Sequence, residues 1–288
     1  MDSNINDEIK LRSKKVSDQA GRTLSVLEEA QALNLAVKFH KSLHLVHIES
    51  LEQGITPYRY IRNIQSISVK EQLKLALSKV SVVGAGGLGG HVLLLLSRIG
   101  IGHLVVVDND VFDETNLNRQ PLSSSHVIGK SKVKIAISLI ESINPGIKLT
   151  GHRLRIDSSN ANKMLADSDV IVDALDNISD RFILEDSAKD MGIPMVHGAV
   201  AGFEGQIMSI FPEDSGLKQL YGEKITDRVS KHNPESVLGV PSLIPAFIAS
   251  LQSMEVIKIL LNRGAPLRNM MAYIDLENGQ INKFLFKE

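Results

Sequence analysis

The sequence predicts an α/β protein, with a doubly wound, Rossmann-like and mostly parallel sheet between a helical N-terminal arm and a C-terminal β-hairpin. Two observations lead to this prediction. Apolar segments of strand length alternate with segments of helix length from residue 69 to residue 211. A glycine-rich turn joins the first strand to the first long helix. We assign residues 1–58 to the arm and residues 59–288 to the sheet domain.

The arm is predicted to be helical. Between Ser17 and Ser50 apolar residues recur at steps of three and four, which is the period of an amphipathic helix. Gly54 and Pro57 then end the pattern. Three histidines of this segment are spaced helically, but no cysteine or matching carboxylate accompanies them. We therefore interpret them as packing or surface residues: His40, His44 and His47.

The sheet domain is predicted element by element. Helices are expected over residues 69–78, 88–99, 130–143, 158–166, 179–191 and 241–261. Strands are expected over residues 80–84, 103–108, 147–152, 170–173, 194–200 and 205–211. A hairpin within residues 271–286 is expected to turn at Asn278-Gly279 with type I′ geometry. Residues 212–240 lack periodicity, and a loop of that length is typically functional or mobile.

Charge and composition exclude several functional classes. A net charge of −1 argues against a general nucleic-acid or membrane-surface binder. The opening residues have no apolar core, and the apolar runs are interpreted as too short to span a bilayer, so we expect a cytoplasmic location. The sequence contains no cysteine, which excludes a disulfide, a thiolate zinc site and a thiol nucleophile on this chain.

The glycine-rich turn predicts a nucleotide site. Such spacing allows a sharp turn, close approach of backbone to phosphates and close packing of helix on strand. The following helix start offers unpaired N–H groups to an anion. Asp108 ends the next strand 19 positions after Gly89, the distance expected for an acid that binds ribose. The glycines concerned are Gly84, Gly86, Gly87 and Gly89.

Polar residues beyond the second strand exceed what a dinucleotide fold needs. Asp108-Asn-Asp110 is followed by Arg119 and Lys132, which are fixed positive donors. Such donors would stabilise a five-coordinate phosphorus and a departing pyrophosphate. A divalent metal between phosphates needs a carboxylate, and Asp176 follows a strand at the same edge. These features favour attack on the α-phosphate of ATP.

The ordered motifs resemble those of the ThiF/MoeB/HesA family, the bacterial relatives of ubiquitin-activating enzymes. The similarity runs from about Arg59 to Lys283. It implies a homodimeric enzyme that uses ATP and Mg²⁺ to adenylate the C-terminal glycine of a ubiquitin-like sulfur carrier, releasing pyrophosphate. The motifs are Gly84-Ala-Gly-Gly-Leu-Gly89, Asp108-Asn-Asp110, Asn116-Leu-Asn-Arg119-Gln120, Gly129-Lys-Ser-Lys132, Asp173-Ala-Leu-Asp176-Asn177, Phe203-Glu-Gly-Gln-Ile207 and residues 250–258.

The resemblance also implies a role for each matching residue. Backbone around Gly87 approaches the phosphates, and Asp108 binds the ribose hydroxyls. Asp176 binds magnesium. Arg62 matches an arginine that reaches the nucleotide site of the other subunit. The phosphates are held, and the transition state stabilised, by Asn116, Arg119 and Lys132 with Gln120 close by, while Asn177 lines the nucleotide pocket.

The chain departs from the family where many members bind zinc. Gly216-Leu-Lys-Gln219 stands where a first Cys-x-x-Cys pair is expected, so we expect no zinc. Without a cysteine the chemistry should stop at the acyl-adenylate, and a separate donor must supply sulfur. Three alternatives remain open: adenylation of a peptide or another substrate such as a tRNA base, a NAD-dependent oxidoreductase, and a non-catalytic partner subunit.

Overall fold

The computed structural model describes residues 4–18, 20–222 and 234–286. Elements are labelled in chain order. The N-terminal part contains α1 (Ile5–Arg12), β1 (Lys14–Ser17), β2 (Thr23–Leu27), α2 (Glu29–Lys38), α3 (Leu43–Glu52) and β3 (Thr56–Pro57). The central part contains α4 (Val69–Leu77), β4 (Lys79–Val83), α5 (Gly87–Ile99), β5 (His103–Val107), α6 (Lys132–Ile143), β6 (Lys148–His152), α7 (Ala161–Leu165), β7 (Val170–Asp173) and α8 (Ile178–Asp190). The C-terminal part contains β8 (Met195–Ala201), β9 (Glu204–Ile210), α9 (Lys218–Tyr221), α10 (Pro234–Leu238), α11 (Leu243–Leu261), β10 (Met270–Asp275) and β11 (Gln280–Leu285).

The N-terminal arm is mostly helical but also contains a three-stranded sheet that the sequence pattern did not predict. The helical run expected from Ser17 to Ser50 was wrong as a single pattern, because its first part is strand β2 and its remainder is two helices. His40 has a φ of 52°, a left-handed conformation that ends α2. The side chain of Ser42 then accepts a hydrogen bond from the Leu45 amide and caps α3.

The arm is fastened to the sheet domain by side chains on both sides of the predicted boundary. Arg59 bonds to the Glu29 carboxylate and donates to the carbonyl oxygen of Ile143 at 3.0 Å. His44 Nδ1 lies 3.2 Å from the carbonyl oxygen of Gly146. His47 is buried and packs edge-on against the ring of Tyr60. His44 and His47 are therefore packing residues, as their spacing without partner ligands suggested.

The main sheet has eight strands in the order β11-β10-β9-β8-β7-β4-β5-β6. Pairs from β8 through β7, β4 and β5 to β6 are parallel, and β8–β9, β9–β10 and β10–β11 are antiparallel. The chain runs outward from β4 to β6 and returns to the other side of β4 at β7. The strand order therefore reverses at β4, which is the position where ligands bind in such sheets.

Two apolar layers enclose this sheet. Helices α5 and α11 cover one face, and α11 packs against α5, β8 and β9. The opposite face buries residues of α7 and α8 with Val83 and Ile171. By length and composition α11 could cross a bilayer, so the expectation that all apolar runs are too short was wrong. Most of α11 is buried, which is typical of the core helix of a soluble domain.

The C-terminal hairpin is present, but its turn is not type I′. Four residues, 276–279, connect β10 to β11. Only Gly279 of the expected pair has positive φ, whereas type I′ geometry needs it at Asn278 as well. The Asp275 carboxylate instead accepts a hydrogen bond from the Asn278 amide at 3.0 Å. This side chain to backbone bond favours a longer turn with glycine at its end.

Candidate active site

A cavity of about 380 Å³ opens at the carboxyl ends of β4, β5, β6 and β7. It lies at the reversal of strand order, where the sequence predicts the nucleotide. Most of the predicted site residues line it: Gly84, Gly86, Gly87, Asp108, Asp110, Arg119, Gln120, Lys132, Asp176 and Asn177. Residues separated by more than 90 positions in the chain therefore meet at one edge of the sheet.

The glycine turn has a steric reason at two of its positions. Gly84 has a φ of +97°, and a Cβ there would lie 2.4 Å from the carbonyl oxygen of Ala174. A Cβ at Gly89 would lie 1.8 Å from the carbonyl oxygen of Gly84. These two glycines let α5 begin directly against the end of β4. Gly86 and Gly87 face the cavity, where the first turn of α5 presents its N–H groups.

Asp108 ties the second strand to the glycine turn. Its Oδ2 accepts a hydrogen bond from the Ala85 amide at 2.7 Å, and its Oδ1 accepts from the Asp110 amide at 2.7 Å. The carboxylate is thus held in one orientation while it lines the cavity. A fixed acceptor at the carboxyl end of β5 is the geometry that ribose recognition requires.

Lys132 supplies a nearly buried positive charge. Its side chain is 8% exposed and its Nζ lies 2.9 Å from Oδ2 of Asp110, a side chain that is 55% exposed. Lys132 is the first residue of α6, so the ammonium lies where the helix dipole is also positive. An anion bound in the cavity would lie near this ammonium, because the nearly buried side chain holds the ammonium in place.

Arg119 and Gln120 enter the cavity from the irregular stretch after β5. The Arg119 Nη1 donates to the carbonyl oxygen of Thr115 and to Oδ1 of Asn118. Gln120 is buried, and its Oε1 has no hydrogen-bond partner among the described residues. An unpaired buried amide oxygen favours a bound donor group at this point.

Asn116 lies behind this stretch and does not line the cavity. Its Oδ1 accepts a hydrogen bond from the Asp113 amide at 3.0 Å, and its carbonyl oxygen accepts from Gln120 N at 2.9 Å. These bonds shape the turn that carries Arg119 and Gln120. Direct contact between Asn116 and phosphate stays a prediction.

Asp176 and Asn177 follow β7 on the opposite side of the cavity. Asp176 is exposed, and Asn177 caps α8 by accepting a hydrogen bond from the Asp180 amide at 2.8 Å. The Asn177 amide nitrogen also donates to Oδ2 of Asp180 at 3.0 Å. The turn that carries Asp176 is therefore fastened to the start of α8, and Asp176 lines the cavity.

Sequence reasoning missed an arginine in this wall. Arg155 follows β6 and makes two parallel hydrogen bonds to the buried Asp180 carboxylate, at 2.9 and 2.8 Å. The bonds to Asp180 raise the pKa of the Arg155 guanidinium further above its usual range. Position after a parallel strand was a usable signal, because the same argument identified Asp108 and Asp176. Leu154, Ile156, Val240 and Pro245 supply the apolar part of the wall.

Arg62 lies elsewhere. Its side chain is exposed on the turn before α4, and it does not line the cavity of its own chain. Its contribution to the site of a second subunit stays a prediction.

A second cavity of about 200 Å³ adjoins the first and shares Asp176 and Val200 with it. Polar side chains from four elements line it: Arg181 of α8, Glu204 and Gln206 of β9, Tyr221 of α9 and Tyr273 of β10. A hydrogen bond that the Tyr273 phenol donates to the Glu204 carboxylate, together with partial burial, raises the pKa of that phenol to about 12. Asp176 thus stands at the boundary between two adjoining spaces.

Comparison with known proteins identifies the family. The model of the ThiF family matches residues 59–288, which is most of the chain. The chain belongs to the ThiF family. It is 35% identical over 220 residues to the SAMP-activating enzyme E1 of Haloferax volcanii, an alignment that covers 75% of this chain and 80% of that protein. It is 33% identical over 277 residues to the adenylyltransferase and sulfurtransferase MOCS3 of Arabidopsis thaliana, covering 93% of this chain and 59% of that one.

This ThiF-family chain is an enzyme of the adenylyltransferase class. It spans about three fifths of the length of the MOCS3 relative. Among solved structures, Escherichia coli MccB with ATP superposes with a TM-score of 0.68 at 24% identity, covering 80% of this chain and 72% of that one. PaaA superposes with a TM-score of 0.68 at 22% identity, covering 80% and 82%. These two similarities confirm the Rossmann-like fold that the sequence predicted.

Proposed function

We propose that this chain uses ATP to adenylate the C-terminal glycine carboxylate of a ubiquitin-like sulfur carrier. One observation supports this proposal more strongly than any other. A single cavity gathers Arg119, Lys132 and Asp176 around a glycine turn and a ribose-type acid. Two cations and a carboxylate at that position suit cleavage between the first and second phosphates of ATP.

In this reaction the residues on each wall of the cavity have a defined role. The acyl carboxylate oxygen attacks the α-phosphorus, and the bond from that phosphorus to the bridging oxygen of pyrophosphate breaks. Lys132 and Arg119 would stabilise the negative charge that grows on the phosphoryl oxygens and on the leaving pyrophosphate. Backbone N–H groups at Gly86 and Gly87 would hold the phosphates, and Asp108 would orient the ribose. No covalent bond to the protein is formed.

The residues present fit a magnesium ion shared with the nucleotide. Mg²⁺ is usually bound by one or two carboxylates together with substrate phosphates and water, and Asp176 offers an exposed carboxylate at the cavity wall. Asp110 also lines the cavity, and its Oδ2 pairs with Lys132. A bound ion would screen the charge between the phosphates, and Asp176 would set its place.

The named relatives support the carrier as substrate. The relative from H. volcanii is named for activating SAMP, and another is a probable molybdopterin-synthase adenylyltransferase of Porphyra purpurea, 35% identical over 238 residues. The second cavity borders Asp176 and would receive the end of the acyl chain. A separate sulfur donor, a protein or another molecule, would then supply sulfur, because this chain has no cysteine. The cytoplasmic location expected from the sequence belongs to the same proposal.

Exchange of labelled pyrophosphate into ATP tests the proposal, with purified protein, Mg²⁺ and a carrier ending in Gly-Gly. We expect exchange that depends on the carrier and falls by about two to three orders of magnitude in Lys132→Ala and in Arg119→Ala. Full exchange in both variants would exclude the assigned site. Mass spectrometry of the AMP adduct from a cell extract separates the substrates, since AMP on a peptide would favour the alternative named above.

A further inference from the structure

Beneath Asp176 lies a buried polar network that the reaction outlined above does not use. Asp173 and His197 are fully buried, and His197 Nδ1 lies 2.7 Å from Oδ2 of Asp173. Burial lowers the pKa of His197 despite the neighbouring carboxylate, which favours the neutral imidazole. A carboxylate only accepts, which places the histidine proton on Nδ1. Arg181 is also buried, with Nε 3.8 Å from Oδ2 of Asp173.

This network holds Leu175, the residue before Asp176, at both its carbonyl oxygen and its amide. Arg181 donates to the carbonyl oxygen of Leu175 through Nε at 3.2 Å and through Nη2 at 2.5 Å. The amide of Leu175 donates to Oδ1 of Asp173 at 3.0 Å. The buried guanidinium thus holds the peptide bond that joins Leu175 to Asp176.

Tyr221 fixes the guanidinium in turn. The Tyr221 hydroxyl accepts from Arg181 Nη1 at 2.9 Å and from Gln206 Nε2 at 2.7 Å. It lies 3.3 Å from Nε2 of His197, the nitrogen that is left to accept. Tyr221 is also a wall of the second cavity but does not line the first. One hydroxyl therefore joins the second cavity to the segment that carries Asp176.

We propose that Arg181 is a positioning residue for Asp176, and that Tyr221 sets Arg181 and so couples the second cavity to the nucleotide cavity. This inference rests on the proposed function, because it assumes that Asp176 acts on ATP. The coupling needs no movement of the sheet. A ligand that displaces the Tyr221 hydroxyl would remove its hydrogen bond to Nη1 of Arg181 and so alter the position of the guanidinium that binds the Leu175 carbonyl oxygen.

Equilibrium binding of ATP in the presence of Mg²⁺, measured by calorimetry, tests the coupling without any acyl substrate. Tyr221→Phe removes the hydroxyl and keeps the ring that packs on Phe182 and His197. A hydrogen bond to a charged group is worth about tenfold or more, and only part of this loss is transmitted to the ATP site through Arg181, so we expect binding to weaken by about three- to tenfold. Tyr273→Phe is the matched control, since it removes a phenolic hydroxyl from the same cavity and leaves the hydrogen bond between Tyr221 and Arg181 in place.

The deciding comparison is a double-mutant cycle with Asp176→Ala. If Tyr221 acts through Asp176, Tyr221→Phe should change ATP affinity by less than about twofold once Asp176 is gone. A purely structural role would weaken binding equally in both backgrounds, and that result would overturn the inference. Arg181→Lys should weaken binding at least as much as Tyr221→Phe, because a compact ammonium lacks the planar fork with which Arg181 binds the Leu175 carbonyl oxygen and the Tyr221 hydroxyl together.

Failure of the coupling and failure of the proposed function give different results. Protein that binds ATP with equal Tyr221→Phe effects in both backgrounds keeps its nucleotide site and loses only the coupling. An Asp176→Ala variant that binds ATP as tightly as the unsubstituted protein would also overturn the coupling. Folded protein that does not bind ATP at all would overturn both proposals.

Discussion

Lys132→Met is the most informative single substitution in the nucleotide cavity. Methionine keeps most of the apolar stem, which is nearly buried, and removes only the ammonium. A unit charge about 4 Å from a phosphate oxygen contributes about 4 kcal/mol at an effective dielectric constant near 20. Loss of one such donor in other enzymes costs about 10²- to 10³-fold in rate, which agrees with that energy.

The same substitution should affect folding much less than catalysis. Asp110, the partner of Lys132, is 55% exposed, so water can solvate its carboxylate once the ammonium is removed. We expect the free energy of unfolding to fall by about 1 kcal/mol or less, as for other half-exposed ion pairs. Urea unfolding measures this directly and separates a folding defect from a chemical one.

Pyrophosphate exchange with carrier provides the assay, and Lys130→Met provides the control. Lys130 is exposed two residues earlier and does not line the cavity. We expect Lys130→Met to keep exchange within about twofold of the unsubstituted protein, while Lys132→Met loses at least about a hundredfold. Equal exchange in the two variants would refute the assignment of Lys132 to the phosphates.

Three further predictions concern pH, packing and assembly. Burial lowers the pKa of His47 to about 3 from an ordinary 6.5. The contribution of the neutral, buried His47 to the free energy of unfolding is therefore fully present above about pH 6.5 and is lost as the pH drops toward 3. By pH 5 the free energy of unfolding, measured with urea, should have fallen by about 2 kcal/mol. His47→Phe should make the free energy of unfolding depend less on pH over this range, and an unchanged pH dependence would contradict the prediction. Gly89→Ala should lower the free energy of unfolding by about 3 kcal/mol, because its Cβ would meet the Gly84 carbonyl oxygen. A variant with the same free energy of unfolding as the unsubstituted protein would contradict this. If Arg62 completes the site of a second subunit, mixing inactive Arg62→Ala and Lys132→Ala proteins should restore about a quarter of the exchange activity, whereas no recovery would exclude a shared site.

Most of the sheet domain could be predicted because its local signals agree with its tertiary packing. Strand β7 is bounded as predicted, and α5 and β5 differ by one residue at one end. Apolar runs bounded by turn residues leave few other ways to bury these segments. Asp108 and Asp176 were found because the carboxyl ends of parallel strands meet at one edge, a rule that needs no coordinates.

The sequence did not reveal features whose local pattern is weak, whose partner is distant in the chain, or whose local signals compete. Strand β1 has mostly exposed side chains and β3 has two residues, so neither produces a recognisable pattern. The position of Arg155 after β6 was a usable signal, but its pairing with Asp180, 25 residues away, has no signal in the sequence. The type I′ turn predicted at Asn278-Gly279 was wrong because the Asp275 carboxylate accepts a hydrogen bond from the Asn278 amide. This local bond competes with type I′ geometry. Part of the aperiodic segment 212–240 lies outside the described residues.

The central claim is that the larger cavity cleaves ATP between its first and second phosphates. A crystal structure of the protein with a non-hydrolysable ATP analogue and Mg²⁺ tests it most directly. We expect Arg119 and Lys132 within hydrogen-bonding distance of the α- and β-phosphate oxygens, and Asp176 bound to the metal directly or through water. Phosphates that lie away from all three side chains would contradict the account and leave only a nucleotide-binding fold.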